Sequence, residues 1–220
     1  MITEAVQGAG GVFTPPDGYL EGLRRLCDDH GALLMFDEVI TGFGRTGSWF
    51  ATDTYGVKPD LITFAKGVTS GYQPLGGVLM NRKICDVLEA NPDYIWMHGY
   101  TYSGHPAACA AAIANIDIIE NDGLIERANA IGERISAGLN ALMGDGLLVE
   151  VRGVGAIWAG QIGGDDVTAR GIKIRDRMLE LGVICRAING AIALCPPLII
   201  SDADIDHIID IAEQAIREFQ

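Results

Sequence analysis

The sequence predicts an α/β fold in residues 1–120, followed by a smaller α+β unit in residues 121–220. Two apolar runs, ALLMFDEV and LITFA, show no polar–apolar alternation, which is typical of strands buried on both faces of a parallel sheet. Strands and helices alternate along this part of the chain, as in α/β proteins. Beyond Gly123 the pattern changes to a long amphipathic helix and short paired strands, so we place a domain boundary near Glu120.

The first part is predicted to start with a short strand over residues 2–6 and a flexible, glycine-rich loop. Asp17 is a candidate N-cap for the helix that follows. The two apolar runs then form strands, and GGVLM, residues 76–80, forms a third. Asn81 can cap a short helix, and Pro106 opens an alanine-rich helix, because proline is tolerated in the first helical turn.

The second part is predicted to contain three helices and two pairs of strands. One pair meets at residues 153–155, and the other forms a hairpin around Asn189-Gly190, a dipeptide that suits a two-residue turn. Ser201 is the candidate N-cap of the last helix. The predicted helices span residues 124–143, 165–181 and 202–219.

The composition argues against several classes of function. The formal net charge of −13 opposes nucleic-acid binding, which needs a basic surface, and a solvated acidic surface is the simpler interpretation. No apolar run approaches the roughly 20 residues of a membrane span, and the first residues lack a signal-peptide pattern. The scattered cysteines and histidines show no spacing for a metal or a disulfide framework. We therefore expect a cytoplasmic protein with reduced thiols and no metal.

The segment GFGRTG, residues 42–47, matches the dinucleotide-binding pattern GxGxxG. In a dinucleotide site, a helix of small apolar residues starts inside that motif. Here the aromatic segment SWFATDTYG follows instead. We therefore interpret the glycines as a tight turn that lets the chain leave the sheet edge, and an NAD enzyme is the least favoured function.

Two residues at predicted strand ends carry the candidate chemistry. Asp37 ends the first apolar run and Lys66 follows the second, so both are expected at one edge of the sheet. Taken singly, Asp37 is interpreted as a cap or ion-pair partner, and Lys66 as a lysine that reaches solvent. A lysine shielded from water at such an edge is, however, a usable nucleophile. Together they match pyridoxal phosphate (PLP), which needs a Schiff-base lysine and an acid at its pyridine nitrogen.

The sequence also resembles a known family, the class III or ω-aminotransferases of PLP fold type I, over essentially its whole length. The resemblance implies the second half of a fold type I large domain, a mostly parallel sheet with helices, followed by a C-terminal small domain. Family members are about twice as long, so we expect this chain to correspond to a C-terminal half. The motifs, in order, are EAVQGAGG, LLMFDEVITGFGRTG, PDLITFAKGVTSGYQPLGG, HGYTYSGHP and CPPLIIS.

The resemblance implies a role for five residues of the site. Asp37 pairs with the pyridinium nitrogen, Val39 packs on the cofactor ring, and Lys66 forms the Schiff base and moves the proton. Thr101, with the backbone next to Tyr100, binds the phosphate of the cofactor held by the neighbouring subunit. The family pattern therefore implies a homodimer whose sites are shared between subunits.

Arginine positions imply the substrate class. In ornithine- and GABA-type members an arginine lies three residues before the Pro-Pro pair, where this chain has Ala193. In amine:pyruvate members a mobile arginine lies on the preceding strand, at the position of Arg186. The resemblance therefore implies transamination between a primary amine or ω-amino compound and a keto acid such as pyruvate, with Arg186 pairing with the carboxylate. A surface arginine in a hairpin is the alternative interpretation, and the role of Glu4, which matches the partner of the absent arginine, stays open.

Other functions are also compatible with these motifs. One is another class III PLP enzyme, such as an aminomutase or a different amino-acid aminotransferase. The other belongs to a different class: an inactive fragment that acts only as a folded or dimerising module. Absorbance of bound PLP distinguishes the enzymes from the inactive module.

Overall fold

The computed structural model describes residues 1–220 and contains eight strands and eight helices around two sheets. None of the helices combines the length and the apolar character that crossing a bilayer requires. The strands are β1 (Ile2–Thr3), β2 (Met35–Asp37), β3 (Leu61–Phe64), β4 (Gly77–Met80), β5 (Glu150–Val154), β6 (Ile157–Gln161), β7 (Arg186–Ile188) and β8 (Ala191–Leu194). The helices are α1 (Gly8–Gly11), α2 (Tyr19–Asp29), α3 (Ala51–Tyr55), α4 (Arg82–Glu89), α5 (Pro106–Asn121), α6 (Leu124–Gly144), α7 (Val167–Glu180) and α8 (Asp202–Glu218).

The first sheet has the strand order β1-β2-β3-β4, with the first three strands parallel and β4 antiparallel to β3. The apolar run before Asp37 is buried, because Leu34 and Phe36 have no exposed surface. Helix α2 packs Leu20 and Cys27 into the same apolar cluster. Each large apolar side chain contributes about 2 kcal/mol when it is buried. The mostly parallel α/β fold predicted from the sequence is confirmed.

The second sheet is antiparallel throughout, with the order β5-β6-β8-β7. Its strands share one large apolar core with α6, α7 and α8, and Ile135, Ile174 and Ile192 are buried there. The predicted hairpin is confirmed: Asn189 and Gly190 have φ of 49° and 80°. Two consecutive residues with positive φ form the tight turn that matches the twist of paired strands.

The domain boundary near Glu120 stays a prediction, because apolar contacts join the two parts of the chain. Val6 and Val12 from the first part form one buried cluster with Ile157 and Ala193 from the second sheet. The segment around α1 is therefore held against the second sheet by a shared apolar contact as well as by chain connectivity.

Two of the three helix N-caps predicted from the sequence are confirmed. The Asn81 side chain accepts a hydrogen bond from the Ile84 N–H at 3.0 Å, and Ser201 Oγ accepts one from the Asp204 N–H at 3.1 Å, so both predicted N-caps are confirmed. The Asp17 prediction is wrong, because α2 is preceded by Gly18 with φ of 77° and no side chain caps it. The glycine-rich loop expected after β1 contains a single helical turn, α1.

Asp60, at the start of β3, joins the elements of the first sheet. Its Oδ2 accepts hydrogen bonds from Arg24 Nη1 at 2.9 Å and the Leu34 N–H at 2.8 Å, and its Oδ1 accepts one from Asn81 Nδ2 at 2.9 Å. Burial opposes ionisation of this side chain, which is 13% exposed. The hydrogen bonds from Leu34 and Arg24 outweigh that effect and hold the pKa of Asp60 below its ordinary value.

We predict that Asp60→Asn destabilises the fold by about 2 kcal/mol at pH 7, because charged hydrogen bonds are lost in a buried place. A lowered folded-state pKa means that the stabilisation is complete above the unfolded-state value of about 4 and is lost as the pH falls through the folded-state value. Urea unfolding at pH 7 and pH 3 should therefore show a stability difference between parent and variant that shrinks at the lower pH. Asp206→Asn, at a half-exposed ion pair with Arg134, is the matched control and should change stability much less.

Candidate active site

Asp37 and Lys66 lie at the same edge of the first sheet. Asp37 is the last residue of β2, and its neighbour in register on the parallel strand β3 is Thr63. Lys66 follows two residues after the end of β3. Because β2 and β3 are adjacent and parallel, their carboxyl ends bring the acid and the amine to one side, as the sequence predicted.

Asp37 is half-buried and uses only part of its hydrogen-bonding capacity. Its Oδ1 accepts a hydrogen bond from the Val39 N–H at 3.0 Å, whereas its Oδ2 has no partner within the chain. Beside it, the buried hydroxyl of Thr63 also lacks a hydrogen-bond partner. Buried polar groups are normally satisfied, so the unpartnered Thr63 hydroxyl, beside a carboxylate with a free oxygen, is the kind of site that a polar ligand completes.

Lys66 differs from the expectation in one respect, because it is exposed and therefore not shielded from water by this chain. The chain turns immediately after β3 into a 3-10 turn, Lys66–Val68, which turns it away from the buried strand. The residue has φ of 43°, a conformation that costs a non-glycine residue of order 1 kcal/mol or more. Its amino group has no hydrogen bond or ion pair within the chain, so no other group of the chain occupies it.

Asn115 on α5 holds this turn, and the sequence analysis missed it. Its Nδ2 donates hydrogen bonds to the carbonyls of Gly67 at 2.8 Å and Val68 at 3.2 Å. An amide in an otherwise alanine-rich helix was the available signal. Asn115 therefore supports the unusual backbone that presents Lys66.

Glu38 is a second residue that sequence reasoning did not single out. It is fully buried, and its carboxylate accepts hydrogen bonds from the Thr41 hydroxyl at 2.7 Å and from the N–H groups of Ala51 at 2.7 Å and Thr52 at 2.9 Å. Burial raises its pKa, and these hydrogen bonds only partly counteract the shift. Glu38 thus joins the end of β2, next to Asp37, to the first turn of α3.

The GFGRTG loop is a packing element, and the tight-turn interpretation is supported. Phe43, Gly44 and Gly47 have φ of 59°, 93° and 81°. A Cβ on Gly44 would approach Leu198 to 3.0 Å, and one on Gly47 would collide with Asn129 of α6. The glycines therefore allow the loop to pack closely against the second part of the chain.

The substrate arginine predicted from the family pattern lies opposite the position that lacks one. Arg186 on β7 is in register with Ala193 on β8, and side chains of such pairs emerge on the same face of a sheet. Arg186 is exposed, and it has no hydrogen bond or ion pair within the chain. A guanidinium at either position thus serves the same face of the second sheet.

The remaining predicted residues stay predictions. Tyr100 and Thr101 lie in an exposed loop between α4 and α5, and neither forms a hydrogen bond with Asp37 or Lys66. Val39 is half-buried beside Asp37. Glu4 acts locally, because its Oε2 accepts a hydrogen bond from the Gly8 N–H at 3.1 Å.

Comparison with known proteins gives consistent matches. A putrescine–pyruvate aminotransferase of Pseudomonas aeruginosa is 38% identical over 226 residues, which cover 99% of this chain and 49% of that protein. An omega-aminotransferase of Caulobacter vibrioides is 39% identical, with 99% and 51% covered. The chain therefore spans about half the length of the curated relatives it matches.

Solved structures agree with these matches. The (S)-enantioselective omega-transaminase from Thermomicrobium roseum superposes with a TM-score of 0.93 at 42% identity, covering 99% of this chain and 50% of that one. A PLP-bound amine transaminase from an uncultivated Pseudomonas species has a TM-score of 0.93 at 40% identity, with 100% and 52% covered. The aminotransferase class-III family model matches residues 1–216. The chain belongs to the class-III aminotransferases, a family that depends on PLP.

Proposed function

We propose that this protein transfers the amino group of a primary amine or ω-amino compound to a keto acid such as pyruvate, with PLP as cofactor. The observation that carries the proposal is the pair of Asp37 and Lys66 at adjacent parallel strand ends, each with polar atoms that nothing else in the chain engages. An acid and an amine delivered to one edge by adjacent parallel strands are the two groups that PLP requires, one for its ring nitrogen and one for the Schiff base.

The residues present fit the cofactor. Asp37 has one carboxylate oxygen free for a ring nitrogen, and its negative charge favours the protonated form of that nitrogen. Val39, next in the half-buried segment, would supply an apolar contact for the ring, and Lys66 would hold the cofactor covalently. When bound, PLP supplies an electron sink that stabilises a carbanion at the substrate carbon.

Lys66 also has the second role of moving a proton. With its Nζ free and neutral, Lys66 would take the proton from the substrate carbon and deliver it to another position. The left-handed backbone at Lys66 and the two hydrogen bonds from Asn115 limit where that amine can reach. Such positioning makes the proton transfer effectively intramolecular.

The choice of acceptor is proposed from Arg186. An exposed guanidinium without an internal partner can bind a carboxylate through two parallel hydrogen bonds, or turn away when the substrate is apolar. Relatives named for pyruvate, including a β-alanine–pyruvate aminotransferase of Pseudomonas aeruginosa at 36% identity, support this choice. A diaminobutyrate–2-oxoglutarate transaminase of Halomonas elongata is 39% identical, so 2-oxoglutarate is the alternative acceptor.

We further propose a homodimer with shared sites. The loop between α4 and α5 exposes large side chains: Met97 is 90% exposed, Tyr100 78% and Tyr102 80%. Apolar and aromatic side chains concentrated in one exposed loop are typical of an interaction site. Thr101 lies among them, which supports its assignment to the partner's cofactor phosphate. All five cysteines are free thiols, which supports a reducing, cytoplasmic compartment.

Lys66→Ala should abolish the absorbance at about 420 nm that covalently held PLP gives at saturating cofactor, because the variant lacks the amine that holds it. Lys58→Ala, at another exposed lysine, is the control and should keep the band. A Lys66→Ala protein with the full band, or a parent protein that stays colourless, would contradict the proposal.

Arg186→Ala should raise the KM for pyruvate by roughly tenfold or more while changing the KM for an apolar amine less than twofold, since only pyruvate presents a carboxylate to the guanidinium. Steady-state kinetics with both substrates varied measures this. Arg175→Ala, which removes a half-exposed arginine on α7, should leave both values unchanged. Equal effects of Arg186→Ala on the two substrates would refute the acceptor assignment.

Mixing two inactive variants tests the shared site. If Thr101 serves the neighbouring subunit, a hybrid of Lys66→Ala and Thr101→Arg chains contains one site with both residues intact. Activity should therefore reappear after the two variants are unfolded and refolded together, and not when each is refolded alone. Absence of recovered activity in hybrids verified by native mass spectrometry would show that Thr101 acts within its own chain or not at all.

A further inference from the structure

We propose that Arg45 is a positioning residue that sets the affinity for the acceptor carboxylate by holding the strand opposite Arg186 in place. The inference rests on the proposed role of Arg186 and adds a residue that does not touch the substrate. Arg45 lies in the GFGRTG loop, which the cofactor chemistry does not use.

Arg45 connects three separate segments of the chain. Its Nη1 donates hydrogen bonds to the carbonyl of Ala156, in the β5–β6 turn, at 2.9 Å and to the carbonyl of Pro196, just beyond β8, at 2.7 Å. The Ala156 N–H in turn donates to the Arg45 carbonyl at 2.9 Å. At Gly155 a Cβ would collide with this loop, so the turn and the loop are in direct backbone contact. One side chain therefore fixes two segments of the second sheet.

Arg45 is a cation that contacts backbone carbonyls and not a carboxylate. No carboxylate forms an ion pair with it, and burial lowers its pKa. Holding a half-buried cation without a counter-charge is costly, and the two hydrogen bonds to carbonyls offset part of that cost. The guanidinium is a planar group with fixed donor directions. It can therefore fix the relative positions of two carbonyls that are 40 residues apart in sequence.

The Pro196 carbonyl that Arg45 binds is close in sequence to the residue that faces Arg186. Pro196 is two residues beyond β8, and β8 contains Ala193, the register partner of Arg186. Between them lies Cys195, which is exposed as a whole residue. Desolvation at its sulfur raises the thiol pKa, and the nearby charges of Arg45 and Arg186 offset only part of that shift. Loss of the Arg45 hydrogen bonds would therefore free the end of the strand that faces Arg186.

The other end of the loop leads to the cofactor edge. The Gly42 N–H donates to the Glu38 carbonyl at 2.9 Å, and Glu38 is adjacent to Asp37. Arg45 thus relates the strand that faces Arg186 to the strand that carries Asp37. A carboxylate bound by Arg186 must lie within reach of the cofactor, so an error in this relation weakens productive binding.

A double-mutant cycle on ligand binding tests the inference without turnover. The probe is propionate, the pyruvate analogue that lacks the keto group, titrated by calorimetry into the PLP-saturated protein. Arg45→Met should weaken propionate binding about tenfold in the parent and less than twofold in the Arg186→Ala background, because coupled residues are not additive. Arg45→Lys, which keeps the charge without the fork, should weaken binding by a smaller factor, and it provides the measurement if Arg45→Met does not fold.

Arg170→Met is the matched control. Arg170 also donates to backbone carbonyls, those of Phe219 at 2.9 Å, Gly163 at 2.7 Å and Asp165 at 3.5 Å, but it lies away from the loop. The Arg170→Met variant should have a lower melting temperature and unchanged propionate binding. If Arg45→Met weakened propionate binding equally in both backgrounds, or if Arg170→Met weakened it to a similar extent, Arg45 would stabilise the fold without positioning Arg186, and the inference would be wrong. Unchanged binding by Arg186→Ala would overturn the acceptor assignment and this inference together, whereas an Arg186 effect without an Arg45 effect overturns this inference alone.

Discussion

The buried carboxylate of Glu38 holds the segment on which the candidate site depends. Three donors, the Thr41 hydroxyl and the N–H groups of Ala51 and Thr52, converge on it. A buried charge is tolerated only with such partners, so the chain must return to the end of β2 after the GFGRTG loop. The returning loop meets the second sheet, where the Ala156 N–H donates to the Arg45 carbonyl. One short stretch of chain therefore connects the end of β2, which carries Asp37, to the second sheet.

The two ends of strand β3 differ in how well their polar groups are satisfied. At its amino end, Asp60 has every hydrogen bond satisfied and joins α2, β2 and the start of α4. At its carboxyl end, the hydroxyl of Thr63 has no partner and Lys66 adopts an unfavourable backbone conformation supported by Asn115. Incomplete and strained groups are stable only beside a rigid support, and they are the groups available to a ligand.

The second sheet places Arg186 directly opposite Ala193. Arg186 and Ala193 are register partners on neighbouring antiparallel strands, so an arginine can move from one strand to the other and still serve the same face. The glycines of the loop that packs on this part of the chain serve close approach, which explains why a motif resembling a nucleotide-binding pattern occurs without a nucleotide site.

Strand positions, most helices, the hairpin at Asn189 and the placement of Asp37 and Lys66 at one sheet edge followed from the sequence, because periodicity, caps and turn residues are local signals. The family motifs added the cofactor. The exposure and strained backbone of Lys66, the support from Asn115 and the link through Arg45 depended on the tertiary structure. Each of these involves residues tens of positions apart, and only packing decides which distant carbonyl or amide lies within hydrogen-bond distance. Local patterns specify the elements of this fold, and long-range contacts specify how its functional groups are held.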